Sequence, residues 1–134
     1  MSDPNFDLFA LPVQALATDE VVFTDPDCSL EQCAKHMTEA GVGLLVLGSK
    51  DSVVGVVSER DIVSAVAAGL DLAATHPTVQ GPEELLWTAP ESTVGHVSRM
   101  MMQKYVRHVL VTDASGDGIG GVVSARDLLV AIPS

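Results

Sequence analysis

The sequence predicts an α/β (α+β) fold made of two β-α-β-β-α repeats, packed face to face about a pseudo-twofold axis. Residues Gly55–Val63, GVVSERDIV, recur as GVVSARDLL at Gly121–Leu129. Upstream, Thr24, Pro26, Ser29, Leu30 and Met37 match Thr88, Pro90, Thr93, Val94 and Met101, each 64 positions on, and Val42–Leu47 matches Val106–Val111 at the same offset. From Val53 the offset becomes 66, because the turn Thr112–Gly118 is longer than Gly48–Ser52. An insertion confined to a turn leaves its flanks in register, as a true duplication requires. One small three-stranded unit cannot bury both faces of its sheet, whereas two together can. The cleft between them is the expected ligand site.

Each element has a local reason. Met1–Ala10 reads as a loose arm, and Pro12–Ala17 as a short helix packing ahead of the first repeat. Val21–Thr24 is a β-branched stretch ended by Asp25-Pro26. Ser29 offers an N-cap, Leu30, Cys33, Ala34 and Met37 follow at helical spacing, and Gly41 stops the helix. Val42–Leu47 reads as a buried strand, Gly48–Ser52 as a hairpin turn and Val53–Val57 as the partner strand. Ser58 caps a helix running to about Ala68, with Gly69 closing it. The second half repeats the order: Leu85–Thr88, a helix from Thr93 to Lys104, strands Val106–Val111 and Ile119–Val123, and a helix from Ser124. The boundaries expected are an arm at 1–10, a first repeat at 11–69, a linker at 70–82 and a second repeat at 83–134.

Composition narrows the functional classes. The chain has 134 residues, 47% of them hydrophobic, enough for one compact body or two small halves. No apolar run reaches the roughly 20 residues that span a bilayer, so no membrane role is expected. The acidic start MSDPNFDLF lacks the basic region of a signal peptide. Cys28 and Cys33 fit neither a disulfide framework nor a zinc site, and the expected location is the reducing cytoplasm. A net charge of −11 with only seven Lys and Arg argues against nucleic acid, whose binding depends on basic side chains.

The repeated Ser-x-Arg-Asp turn is the feature with chemistry. Its local reading is a capping box: the hydroxyl of Ser58 or Ser124 accepts the N3 amide, and Asp61 or Asp127 returns to the N-cap amide. That reading leaves Arg60 and Arg126 unexplained, and likewise Gly55 and Gly121, where the absence of a Cβ would admit a ligand to the backbone. An Arg fork suits phosphate, and a carboxylate can accept from ribose hydroxyls. Together they suit a nucleotide, with its sugar on Asp and its phosphate on Ser and Arg. Other motifs fail. Gly116–Gly121 satisfies G-x-G-x-x-G but joins two strands, so it is a hairpin turn. His36, His76, His96 and His108 lack ligand spacing. Ser58 and Ser124 have no neighbouring base in sequence. Met100, Met101 and Met102 read as helix packing.

With its apolar strand before it and x-x-P-x-x-[ST]-[LV] at the earlier helix, the repeated G-V-V-S-x-R-D resembles the cystathionine-β-synthase-type (CBS) domain. Two in tandem form a Bateman module, and the resemblance covers about Leu11 to Ile132. It implies a non-enzymatic sensor with an adenosine-type ligand (AMP, ADP, ATP or S-adenosylmethionine) and no required cofactor. Asp61 and Asp127 would bind ribose, and Ser58 and Ser124 phosphate, with Arg60 and Arg126 nearby. Phe23 and Thr24, and Trp87 and Thr88, would border the base. Phe23 and Trp87 suit either purine stacking or core packing, and Arg107 either a phosphate or a surface ion pair. Gln80–Glu84 departs from the family by lacking an apolar-Met-Thr segment, and Glu83 and Glu84 would repel a phosphate, so a weaker second site is expected. Arg107-His108 stands where the first repeat has Gly43-Leu44. The expected protein is a stand-alone regulatory module signalling to an unknown regulated partner. It would pair as a homodimer through the apolar helix faces Val63–Ala68 and Leu128–Ile132. The alternative is a dimerisation module with an empty, degenerate site.

Overall fold

The computed structural model describes residues 7–18, 20–77 and 85–131. Two short 3₁₀ turns, Leu8–Ala10 and Val13–Ala15, precede the repeats. The first repeat runs β1 (Phe23–Thr24), α1 (Leu30–Ala40), β2 (Leu44–Ser49), β3 (Ser52–Ser58) and α2 (Glu59–Ala67). The second runs β4 (Trp87–Thr88), α3 (Val94–Lys104), β5 (His108–Thr112), β6 (Ile119–Ser124) and α4 (Ala125–Val130). This is the mixed α+β order expected from the duplication.

Each repeat holds one three-stranded sheet, ordered β1-β2-β3 and β4-β5-β6. The short first strand pairs parallel to the central one, and the central strand forms a hairpin with the third. Register is reproduced between copies: Thr24 pairs with Leu47 and Thr88 with Val111, while Leu47 faces Gly55 and Val111 faces Gly121. Both hairpins slip at one place, after Leu47 and after Val111. At the first slip Gly48 has φ +111°, and a Cβ there would collide with the Ser52 carbonyl oxygen. The longer second turn is held by Asp113, whose Oδ1 accepts from the Ser115 and Gly116 amides at 3.1 and 3.0 Å.

The helices begin and end as their sequences require. Ser29 and Gln32 make a full capping box on α1, and Thr93 accepts the His96 amide on α3. Gly41 closes α1 in the left-handed region, and the Val42 amide bonds back to the Met37 carbonyl at 3.0 Å. This wrap, a Schellman ending, uses Val42, the first residue that the apolar run assigned to the strand, and β2 starts at Leu44. Tyr105 takes the equivalent position after α3 at φ 55°.

One face of α1 (Leu30, Cys33 and Met37) packs on Leu45, Leu47 and Val57, with Ala65 of α2 beside them. In the second repeat Val97 and Met101 pack on Val109, Val111 and Val123. Val13 joins that second core, fully buried. The segment expected ahead of the first repeat is therefore seated on the second. Val13 N–H donates to Ser92 O at 2.7 Å, and Thr18 and Val122 exchange both backbone bonds at 2.9 Å. The described residues fall into two compact units, one within Val21–Leu85 and one joining those of Met1–Glu20 to those of Leu86–Ser134.

Two more expectations change. The described end of the arm is docked: Leu8–Ala10 packs on α3, with Phe9 against Gly95. The described part of the linker folds back on α1, where the Leu30 and Glu31 amides donate to Thr75 and Leu72 carbonyls at 2.8 and 3.1 Å. It thereby supplies partners for helix-start amides that have none inside the helix. Residues 1–6, 19, 78–84 and 132–134 lie outside the described residues, and with them the expectations for the start of the arm, the end of the linker and Gln80–Glu84. No described helix is long and apolar enough to cross a membrane.

Candidate functional site

The repeated turns are geometric copies. Ser58 and Ser124 enter their helices at φ, ψ of −111°, 165° and −107°, 159°. Asp61 Oδ2 accepts from the Ser58 amide at 2.8 Å and from its hydroxyl at 3.0 Å, and Asp127 Oδ2 accepts from the Ser124 amide at 2.8 Å. The serine oxygens accept the Asp61 and Asp127 amides at 3.3 and 3.0 Å. Both capping boxes are therefore complete. Each box uses a single carboxylate oxygen, and among the described residues the Oδ1 atoms of Asp61 and Asp127 have no protein partner. The surroundings differ: Asp61 is exposed and Asp127 half-buried. Arg60 and Arg126 project from the turns into solvent.

The two turns also differ in charge. In the first, the amide of Glu59 donates to Gly43 O at 3.0 Å, and the Glu59 side chain lies over Gly43, where a Cβ would come 3.1 Å from Oε1. In the second, Ala125 replaces Glu59, Arg107 replaces Gly43, and the Ala125 amide donates to Arg107 O at 2.8 Å. One turn thus carries a carboxylate and the other a guanidinium at corresponding places. Sequence comparison showed each substitution but not that they adjoin.

The base-side residues sit elsewhere. Phe23 and Trp87 are half-buried on the parallel edge strands, and Thr88 is 7% exposed. Within the first sheet Thr24 pairs with Leu47 while Ser58 pairs with Leu44. The two stand at diagonal corners, three residues along β2 and two strand spacings across, roughly 14 Å from strand geometry. One repeat does not bring them into hydrogen-bonding reach of each other. Thr24 is also occupied, its Oγ1 3.1 Å from the Cys28 sulfur.

The glycines expected to admit a ligand are differently used. Gly121 is approached by the chain itself: a Cβ there would lie 2.7 Å from the Thr18 carbonyl oxygen. Its lack of a side chain makes room for the N-terminal segment. Gly55 is buried opposite Leu47. Among the methionines Met101 is in the core and Met102 is 76% exposed, so only part of that run packs. His76 Nδ1 lies 3.1 Å from Cys28 O, and the described residues contain no cluster of three or more His, Cys, Asp or Glu that could hold a metal. Both cysteines are free. Burial pushes the Cys33 thiol up to about 11, and the adjacent Cys28 adds to the rise.

Comparison with known proteins agrees with this architecture. The CBS domain family matches residues 13–68 and 83–134. An uncharacterized 17.7 kDa protein from the bps2 3′ region of Acidianus ambivalens is 30% identical over a 130-residue alignment that covers 92% of this chain and 74% of the relative. The crystal structure of a conserved Pyrococcus horikoshii protein superposes with a TM-score of 0.79 at 24% identity, covering 94% of each chain. A CBS domain protein from Pyrobaculum aerophilum, solved in complex with AMP, superposes with a TM-score of 0.71 at 28% identity, covering 87% of this chain and 89% of that one.

Proposed function

The chain belongs to the CBS-domain family, and on that premise we propose that it is a regulatory module that binds an adenosine-type nucleotide and transmits occupancy to a partner protein. The reading rests on the duplicated Ser-x-Arg-Asp turn. Both copies hold a serine and an aspartate in the same geometry, and both leave the aspartate Oδ1 open to accept from a sugar hydroxyl. The AMP-bound Pyrobaculum aerophilum relative supports an adenine nucleotide as the ligand. The phosphate would be held by hydroxyl and guanidinium groups, with no chemistry required of either. Binding would shift a conformational balance only to the extent that the ligand prefers one state.

The charge difference between the turns ranks them. Glu59 beside Gly43 opposes an anion at the first turn, while Arg107 and Arg126 favour one at the second. The second repeat is thus the principal phosphate site, the reverse of the order inferred from Glu83 and Glu84. The competing reading, a dimerisation module with no ligand, is favoured by the completed capping boxes, which already employ Ser58, Asp61, Ser124 and Asp127.

A thermal-shift titration with AMP, ADP, ATP and S-adenosylmethionine separates the two. A ligand at about a hundred times its Kd adds about 2.7 kcal/mol, a rise of several degrees for a domain of this size. Asp127→Asn retains an oxygen for the cap but loses the charge. We expect it to abolish most of the shift, and Asp61→Asn to reduce it less. No shift with any of the four ligands would favour the dimerisation module.

A further inference from the structure

We propose that Cys28 and Cys33 form a reversible disulfide that locks the entrance to α1, making the first repeat the site of an oxidative modification. Cys28 immediately precedes the N-cap Ser29, and Cys33 lies at the fourth helical position. These are the two positions of a hydrophobic staple, where apolar side chains usually meet across the first turn. Here both are thiols. Cys28 is half-buried and packs against the cluster that contains Cys33, which is 0% exposed. Its sulfur donates to Asp25 O at 2.8 Å and faces Thr24 Oγ1 at 3.1 Å. The equivalent positions of the second repeat hold Ser92 and Val97, so the modification addresses one repeat only.

The arrangement divides the chemistry. Cys28 is the thiol that an oxidant in solvent can reach, and Cys33 is the sheltered partner that resolves the product. With hydrogen peroxide as oxidant, the Cys28 thiolate attacks one peroxide oxygen. An S–O bond forms, the O–O bond breaks, and the departing hydroxide takes a proton to become water. The Cys33 sulfur then attacks the Cys28 sulfur. The S–S bond forms, the S–O bond breaks, and the released hydroxide takes the Cys33 proton as a second water. Peroxide is reduced by two electrons, and the two thiols together are oxidised by two. Loss of the Cys28 proton removes its bond to Asp25 O, and the sulfur can then meet the Thr24 hydroxyl, at the end of β1, only as an acceptor.

The test is peroxide treatment of the reduced protein, followed by denaturation, maleimide labelling and intact mass. We expect a monomer lighter by two hydrogens with no reactive thiol, restored to two thiols by dithiothreitol. Cys33→Val, which copies Val97 and preserves an apolar staple, should instead accumulate a Cys28 sulfenic acid that a 1,3-diketone traps. Cys28→Ser should leave Cys33 unmodified at the same dose. Persistence of both thiols, a disulfide linking two chains, or a Cys28 sulfinic acid beside an intact Cys33 thiol would each overturn the proposal. These readouts involve no nucleotide, so they stand or fall apart from the ligand assignment.

Discussion

At the scale of single residues, the two copies show the same problem solved with different chemistry. Gly41 and Tyr105 end equivalent helices in the left-handed region, at φ 68° and 55°. Glycine adopts that conformation freely, whereas an L side chain there incurs roughly 1–2 kcal/mol of crowding. Tyr105 is 86% exposed and contributes little packing in return. Tyr105→Gly should therefore stabilise the protein by about 0.5–1 kcal/mol, after allowance for the freer unfolded chain. A urea denaturation midpoint that rises at constant slope would confirm it. The same contrast separates Glu59 from Ala125 and Gly43 from Arg107, and there it sets the electrostatics of the proposed ligand site rather than a helix end.

At the scale of elements, what could be read in advance was what depends on near neighbours in sequence. Ser29, Ser58 and Ser124 were visible as caps because the groups they bond lie three residues away. The hairpins were visible because the loop insertion left both registers intact. The serine and aspartate pairs of the candidate site were legible for the same reason. What stayed hidden involves partners distant in the chain: the seat of Thr18 on β6, the return of Leu72 and Thr75 to α1, and Thr24 held by Cys28. Periodicity reports which face of an element is apolar, not which segment will cover its edge. Gly121 illustrates this, since its missing Cβ serves β6 and the N-terminal segment together. Gly121→Ala should force the Thr18 carbonyl away and cost about 1–3 kcal/mol, as overpacking does. A thermal midpoint unchanged from the parent would refute that account.

At the scale of the whole molecule, both repeats leave apolar side chains uncovered on their last helices: Val63 and Val66 are 66% and 60% exposed on α2, and Leu129 and Val130 are 68% and 76% exposed on α4. Association through these faces would remove them from water. The doubly substituted Val63→Asp, Leu129→Asp protein should sediment as a monomer at concentrations where the parent self-associates. Identical sedimentation of the two would place any association elsewhere. The seating of the N-terminal segment has its own consequence for how the chain comes into being. Residues of the first repeat find their partners within one continuous stretch, whereas Thr18 waits for Val122. At a translation rate of roughly 5–20 residues per second, that wait lasts seconds. The first repeat can settle while the ribosome is still at work, with Val13 and its apolar neighbours left bare until the last strand emerges. Exposure to chaperones and to other nascent chains thus falls chiefly on the segment around Val13, which precedes the first repeat yet folds after it.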